Sequence, residues 1–201
     1  MAAGKDRQIP TEVYQSLVAS LYTDRGTLFA GMVMHVGTGL LIGFRLSDPF
    51  YYYCSLILFL NWLARTIQMR GYDLDDRRQH PRAEIAYWER SYIVGAGTAT
   101  LMLGIMCGYS IFTAQDPFAQ FASVAVTLGT MVSAVGRNYG SKLVVNAISL
   151  AACVPMVAGL VLREDIYSAV IAAFIVMFIL IVRKMANGVR EFLSENVLAR
   201  H

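Results

Sequence analysis

Apolar stretches recur along the chain with the length and spacing of six membrane-crossing helices. They run at about residues 27–44, 50–69, 92–112, 119–135, 143–162 and 166–182. Polar punctuation separates them. Asp48-Pro49 and Asp116-Pro117 break the chain after the first and third stretches, and Arg163-Glu164-Asp165 turns it into the sixth. Residues 70–91 form the longest polar segment, and Gly136 to Lys142 a shorter one. Pro155 falls inside the fifth span, where a kink is expected. The run Tyr51-Tyr52-Tyr53 opens the second span and predicts an interfacial aromatic belt. Ahead of the first span comes a polar tail. Val13, Leu17, Val18 and Leu21 then mark one face of a short amphipathic helix with Thr11 as its N-cap, predicted to lie along the membrane surface.

The last stretch departs from this pattern. It carries no charge from Ile166 to Val182, meets Arg183 and Lys184, and runs on to Arg200 without a proline and with Gly188 as its single glycine. One helix is expected to pass from bilayer into water. Val182, Met185, Val189, Phe192, Asn196 and Ala199 alternate between a and d heptad sites, and valine with a lone asparagine at a resembles a parallel two-stranded coil. That spacing predicts a homodimer whose partner helices transmit a signal. It also fits an amphipathic helix lying on the membrane surface. Three regions follow: a tail and interfacial helix over 1–26, a membrane domain over 27–182 and a helical extension over 183–201.

Composition agrees. The chain is 56% hydrophobic and 15% charged, where soluble domains carry about 25% charged residues. Charge placement adds more than net charge. Six spans put both termini on one side, and if that side is cytoplasmic, every Lys and Arg of the 17 except Arg45 and Arg163 lies inside. Each helical hairpin also opens at a basic residue (Arg25, Arg90, Arg137) and turns at an acidic one (Asp48, Asp116, Asp165), a weak internal repeat that this charge bias alone also produces. Cys54, Cys107 and Cys153 are far apart, lack zinc spacing and read as small apolar side chains. The N-terminus lacks the apolar core of a signal peptide. Phosphate-loop, dinucleotide-binding, nucleophile-elbow and zinc-protease signatures are missing, so no catalytic residue is assigned. The short basic loop over 77–90 faces the membrane, which argues against nucleic acid as a partner.

Candidate chemistry is sparse. His35 is the only histidine inside a span, and an ionisable group there is a functional hypothesis by default. It suits haem or copper, with Met32, Met34, Met106 and Cys107 as possible soft ligands, or a hydrogen bond to a neighbouring Ser or Thr. A bis-histidine haem needs a symmetry mate. Arg65 near the inner end of the second span either snorkels or pairs with Glu89, and Asn146 is a candidate ligand or interhelical group, as is Ser133. Glu89, Arg90, Arg137 and Asn138 form an inner-face group, read as ion pairs and anchors or, with Arg65, as a site for an anionic ligand or lipid headgroup. Gly39 and Gly43, with Gly31, and Gly95 with Gly97, mark narrow faces for close packing within the protomer.

The segments LYTDRGTLFAG, YWERSYIVGA, DPFAQ, VTLGTMVSAVGRNYGSKLV, the intramembrane Pro155 and MANGVREFLSENVLAR resemble, in order and spacing, the N-terminal membrane region of bacterial GGDEF/EAL proteins. The resemblance spans about Leu21 to Arg200. It implies a multi-pass inner-membrane sensor of all-α fold that passes a signal through its last helix to downstream PAS, GGDEF or EAL domains, which make or degrade cyclic-di-GMP. This chain departs from the pattern by ending at His201 without those domains, as an excised membrane region would. The rival expectations are a small-ligand, haem or metal-binding membrane protein, or an accessory subunit of a membrane complex.

Overall fold

The computed structural model describes residues 11–75, 81–138 and 141–198, with the side chains of residues 13, 74, 75, 186, 187 and 189–198 outside that description. The described residues form seven α-helices and no strand. They are α1 (Thr11–Leu21), α2 (Arg25–Leu46), α3 (Pro49–Asp75), α4 (Arg82–Thr113), α5 (Pro117–Arg137), α6 (Lys142–Val161) and α7 (Ile166–Leu198).

Five of them, α2, α4, α5, α6 and α7, are long and apolar enough to cross a membrane. About 20 residues at 1.5 Å each span a hydrocarbon core near 30 Å thick. The 27-residue α3 has the length. Tyr51 to Tyr53, Asn61 and Arg65 dilute its apolar run, so hydropathy alone does not mark it as a span. Large apolar side chains cover the outside: Phe44, Leu56, Phe121, Val154, Phe174 and Leu180 are all exposed. A soluble fold rarely leaves such a surface to water, whereas lipid tails solvate it. The fold is that of a helical membrane protein.

The helix starts follow from local chemistry. Asp24 Oδ1 accepts the Thr27 amide at 2.9 Å, Asp116 Oδ1 the Ala119 amide at 3.0 Å, and Asp165 Oδ1 those of Tyr167 and Ser168 at 2.9 and 3.0 Å. Ser141 Oγ caps α6 through Val144 N at 3.2 Å. Two of the acidic turn residues are thus N-caps, filling donors that a helix start leaves open. Asp48, the third, accepts from Phe50 N at 2.9 Å after Ser47 closes α2 in the left-handed region at φ 53°.

The turns between α2 and α3, α4 and α5, and α6 and α7 share one end of the bundle. There Arg45 Nε donates to Asp116 Oδ2 at 2.9 Å. At the opposite end, Arg25 pairs with Asp73. α4 is central and packs against α1, α3, α5 and α6. Its tightest partner is α6. A Cβ at Gly104 would meet the Ala151 and Ala152 carbonyls, one at Gly108 the Pro155 carbonyl, and one at Gly159 the backbone of Gly108. Pro155 has no N–H to offer the carbonyl four residues earlier, and that carbonyl, Ala151, lies against Gly104. Gly39 and Gly43 pack against Ser55, Tyr51 and Tyr52 of α3, as their spacing predicted. Gly95 instead seats the Arg65 side chain, and Gly97 faces open space.

Three expectations are corrected. Residues 70–91 are not one long loop, because α3 runs to Asp75 and α4 begins at Arg82. An aromatic cluster rewards these extra turns: Tyr22 stacks on Tyr72 with centroids 4.3 Å apart and meets Trp88 and Tyr92 edge-on. α1 is not only an interfacial helix. Val18, Leu21 and Tyr22 are buried with Ile85 and Tyr92 of α4, and the Tyr22 hydroxyl donates to the Trp88 carbonyl at 2.7 Å. The tyrosine run is not a belt either, since Tyr51 is fully buried, bonded to Ser110 Oγ at 3.0 Å, and only Tyr53 is exposed.

Two substitutions test the packing. Gly108→Val inserts atoms into the Pro155 carbonyl and is expected to cost at least ~1–3 kcal/mol. Gly97→Ala meets nothing within 4 Å and is expected to be neutral or mildly stabilising. Reversible unfolding in mixed micelles measures both, and equal effects would contradict the α4–α6 contact.

Candidate functional site

One end of the bundle, the end that carries α1, holds a cavity of about 290 Å³. Its walls come from α2 (Thr27, Met32, Met34, His35), α3 (Leu58, Asn61, Trp62, Arg65), α4 (Tyr92, Ala96, Thr100), α5 (Thr130, Ser133, Arg137), Asn138 and Ile148 of α6. A smaller cavity of about 40 Å³ adjoins it, and Arg65, Tyr92, Arg137 and Asn138 line both.

Each polar group has a defined setting. His35 Nε2 lies 2.7 Å from Thr130 Oγ1, tying α2 to α5. The expected Ser or Thr partner of the histidine is thus present. The Arg65 guanidinium sits over the Tyr92 ring, 4.8 Å from its centroid. Small residues make this possible, because the Arg65 stem runs directly over Gly95. Arg137 Nη1 lies 3.6 Å from Asp24 Oδ2, and its Nε donates to the Ser133 carbonyl at 3.4 Å. Asn138 is buried, donating to the Ala134 carbonyl at 2.6 Å and accepting from the Tyr92 hydroxyl at 3.2 Å. Among the described residues no carboxylate lines the larger cavity.

The sequence-predicted residues divide. His35, Arg65, Arg137 and Asn138 come together in this cavity. Asn146 does not line it, and its side chain makes no hydrogen bond among the described residues. Arg90 is exposed outside it. Glu89 is buried but pairs with neither Arg65 nor Arg90. Its carboxylate accepts from the Tyr14 hydroxyl at 2.6 Å and from Ser141 Oγ at 2.5 Å. Glu89 therefore joins α1, α4 and the cap of α6, a structural role set by hydroxyl donors that no charge pattern announces. Burial, with the Glu89 bond next, pushes the Tyr14 phenol well above its ordinary value, so Tyr14 stays a donor. Met106 and Cys107 are buried away from the cavity, so the soft ligand set weighed for copper is not assembled. Among the described residues no group of three His, Cys, Asp or Glu gathers around a point. Cys54, Cys107 and Cys153 are all buried and free. Asn61 and Thr130, which the spacing did not single out, complete the polar lining.

The fold and cavity define a membrane-embedded helical bundle with a largely apolar pocket, lined also by two arginines, near one end. No protein family, no curated protein and no solved structure matches the chain.

Two predictions follow from these contacts. Tyr14→Phe leaves a buried carboxylate one donor short and is expected to cost ~1–3 kcal/mol, read as faster amide exchange in α1 with α6 unchanged. Asp24 is held below its usual carboxylate range by the Thr27 hydroxyl and amide, with Arg137 contributing less. A depressed folded-state pKa contributes stability above the ordinary Asp range of about 4, and that stability is lost as pH falls through the folded value. Asp24→Asn keeps the cap acceptor but lacks this acid response, so its stability deficit against wild type is expected to shrink on acidification from pH ~6 to ~3. A constant deficit across that range would rule out the charge.

Proposed function

We propose that this chain is the membrane input region of a bacterial cyclic-di-GMP signalling protein, inserted in the inner membrane through six spans, α2 to α7, with both termini cytoplasmic. In this reading α7 passes the state of the bundle, as one of a pair of helices in a homodimer, to PAS, GGDEF or EAL domains that synthesise or degrade the messenger. The resemblance of segments from Leu21 to Arg200 supplies the class of output. The observation that supports transmission is α7 itself, 33 residues long and unbroken from the apolar bundle to Leu198. A helix of that length runs near 50 Å, well beyond a hydrocarbon core.

The packing of α7 supports the same reading. It touches α6 and, less extensively, α5, through a narrow strip that includes Ala172, Ile179 and Val182. Ile171, Phe174, Met177 and Ile181 face outward, and Met185 is exposed. By contrast α4 and α6 are locked backbone to backbone. A helix held by one strip against a rigid pair exchanges between rotations or registers at small cost, and a signal need only bias that exchange. The heptad residues Val189, Phe192 and Asn196 have side chains outside the described set, and Ala199 lies beyond it, so the coil rests on their sequence spacing. The basic residues gather at the end that holds α1, which supports cytoplasmic termini.

A rival reading, a ligand-binding membrane protein, is favoured by the cavity, and a sensor that binds a ligand satisfies both. For haem, His35 is the one histidine among the described residues lining its cavity, and its Nε2 is engaged by Thr130. An accessory subunit of a membrane complex draws no specific support from the contacts.

Single cysteines at Val189, Phe192 and Asn196, in a background lacking the native three, are expected to cross-link between protomers more strongly than neighbours off the seam. Gly188→Cys is expected to label from the cytoplasm and Ser47→Cys from the opposite side. Flat cross-linking along the helix would sink the paired-helix mechanism, and labelling of both sites from one side would sink the six-span topology.

A further inference from the structure

We infer that the cavity between α2, α3 and α5 binds the head of a single-chain anionic amphiphile, a phosphate or carboxylate carried on an alkyl chain, that enters sideways from the bilayer. The inference rests on membrane insertion and not on the nature of the output.

The charge argument comes first. Arg65 and Arg137 line the same cavity and the same smaller neighbour, so two guanidinium groups approach one space. Arg65 has a ring partner, Tyr92, and no carboxylate among the described residues. Asp24 attends Arg137 from the outer cavity and does not line the inner one. Glu89, the nearest buried carboxylate in sequence to Tyr92, is already engaged by Tyr14 and Ser141. An anion seated between Arg65 and Arg137 is attracted by both. A guanidinium fork matches the planar oxygens of a carboxylate and the oxygens of a phosphate equally well.

The second argument is shape. The rest of the lining is largely apolar, including Leu58, Trp62, Ala96 and Ile148. A free inorganic anion gains nothing from such walls, while an alkyl chain is removed from nothing costly by lying against them. Ala30 and Met34 on α2 and Gly129 and Ser133 on α5 border the cavity and are exposed, so its mouth lies on the flank between these helices. A Cβ at Gly129 would meet nothing within 4 Å, which leaves that lip open. A volume of about 290 Å³ holds a headgroup and a few methylenes, the remainder of the chain staying among lipid tails. His35 and Thr130, bonded across α2 and α5, stand where a head that enters must pass or bind. Occupancy would then tie α3 to α5, next to the α6–α7 pair.

The full chain in nanodiscs of zwitterionic lipid provides the test, with a phosphate ester of a brominated C12 alcohol as probe and Trp62 as reporter. Saturable quenching is expected, retained in Trp88→Phe and lost in Trp62→Phe. Arg65→Gln and Arg137→Gln are expected to weaken it at least tenfold, and Arg65→Lys to restore part of it. Arg163→Gln, which removes the same charge at the far end of the bundle, is expected to bind as wild type. Should Arg65→Gln fail to fold, Arg137→Gln with Asn61→Ala carries the same comparison. The brominated alcohol without its phosphate tests for grease alone: equal quenching by it overturns the proposal. Inorganic phosphate that displaces the probe at equal concentration would show a free-anion site and overturn lateral entry. Equal loss in Arg163→Gln would show mere net charge and overturn the site. The α7 cross-linking pattern is measured without probe, so its failure is separable from failure here.

Discussion

Backbone contact between α4 and α6 is the constraint on which the other packing depends. In lipid there is no hydrophobic force to press helices together, because tails are as apolar as leucine. What remains is dispersion, weak hydrogen bonds and the closeness that small residues permit. Gly104, Gly108 and Gly159 let the two helices meet main chain to main chain, and Ala151, Ala152 and Pro155 present the carbonyls on the other side. Proline in a helix usually costs a hydrogen bond. Here the carbonyl left over by Pro155 lies against Gly104.

The remaining helices are arranged around that pair by different means at its two ends. Near α1 the rings of Tyr22, Tyr72, Trp88 and Tyr92 cluster, with the Tyr22 hydroxyl bonded to the Trp88 carbonyl, and Glu89 beside them takes the Tyr14 and Ser141 hydroxyls. At the opposite end Phe50, Tyr51 and Tyr109 pack together, with Tyr109 donating to Asp48 at 3.1 Å. Rings with a polar tip suit depths where lipid gives way to water. Between these clusters α2 and α5 are linked by His35 and Thr130, across a space that side chains do not fill. The bundle thus combines a pair in backbone contact, a void beside it and a last helix packed along one face against α6.

Much of this was legible along the chain and some was not. The apolar stretches marked six long helices, α2 to α7, and their order, and Asp-Pro turns marked where two of them begin, because lipid and N-cap chemistry both act on short stretches. The cavity was legible in part. His35, Arg65, Arg137 and Asn138 stood out as polar groups in apolar surroundings, and those do converge. Arg90 and Asn146 stood out for the same reason and point elsewhere. A single side chain's direction around a helix axis decides which, and no local pattern records that.

The sequence by itself determined the solvent. Its apolar lengths demand lipid, its charges gather at one end, and its last segment lacks any breaker before Arg200. Only the tertiary structure decided the partners. Gly104 and Gly108 were as visible as Gly39 and Gly43, yet nothing in the chain says that one pair meets α6 and the other α3. Glu89 reads as the natural counter-ion for nearby arginines until α1 and Ser141 take its oxygens, which leaves Arg65 with a ring and no carboxylate among the described residues. The physical reason is range: solvation and capping act within a few residues, while pairing across the bundle depends on how every helix is turned at once.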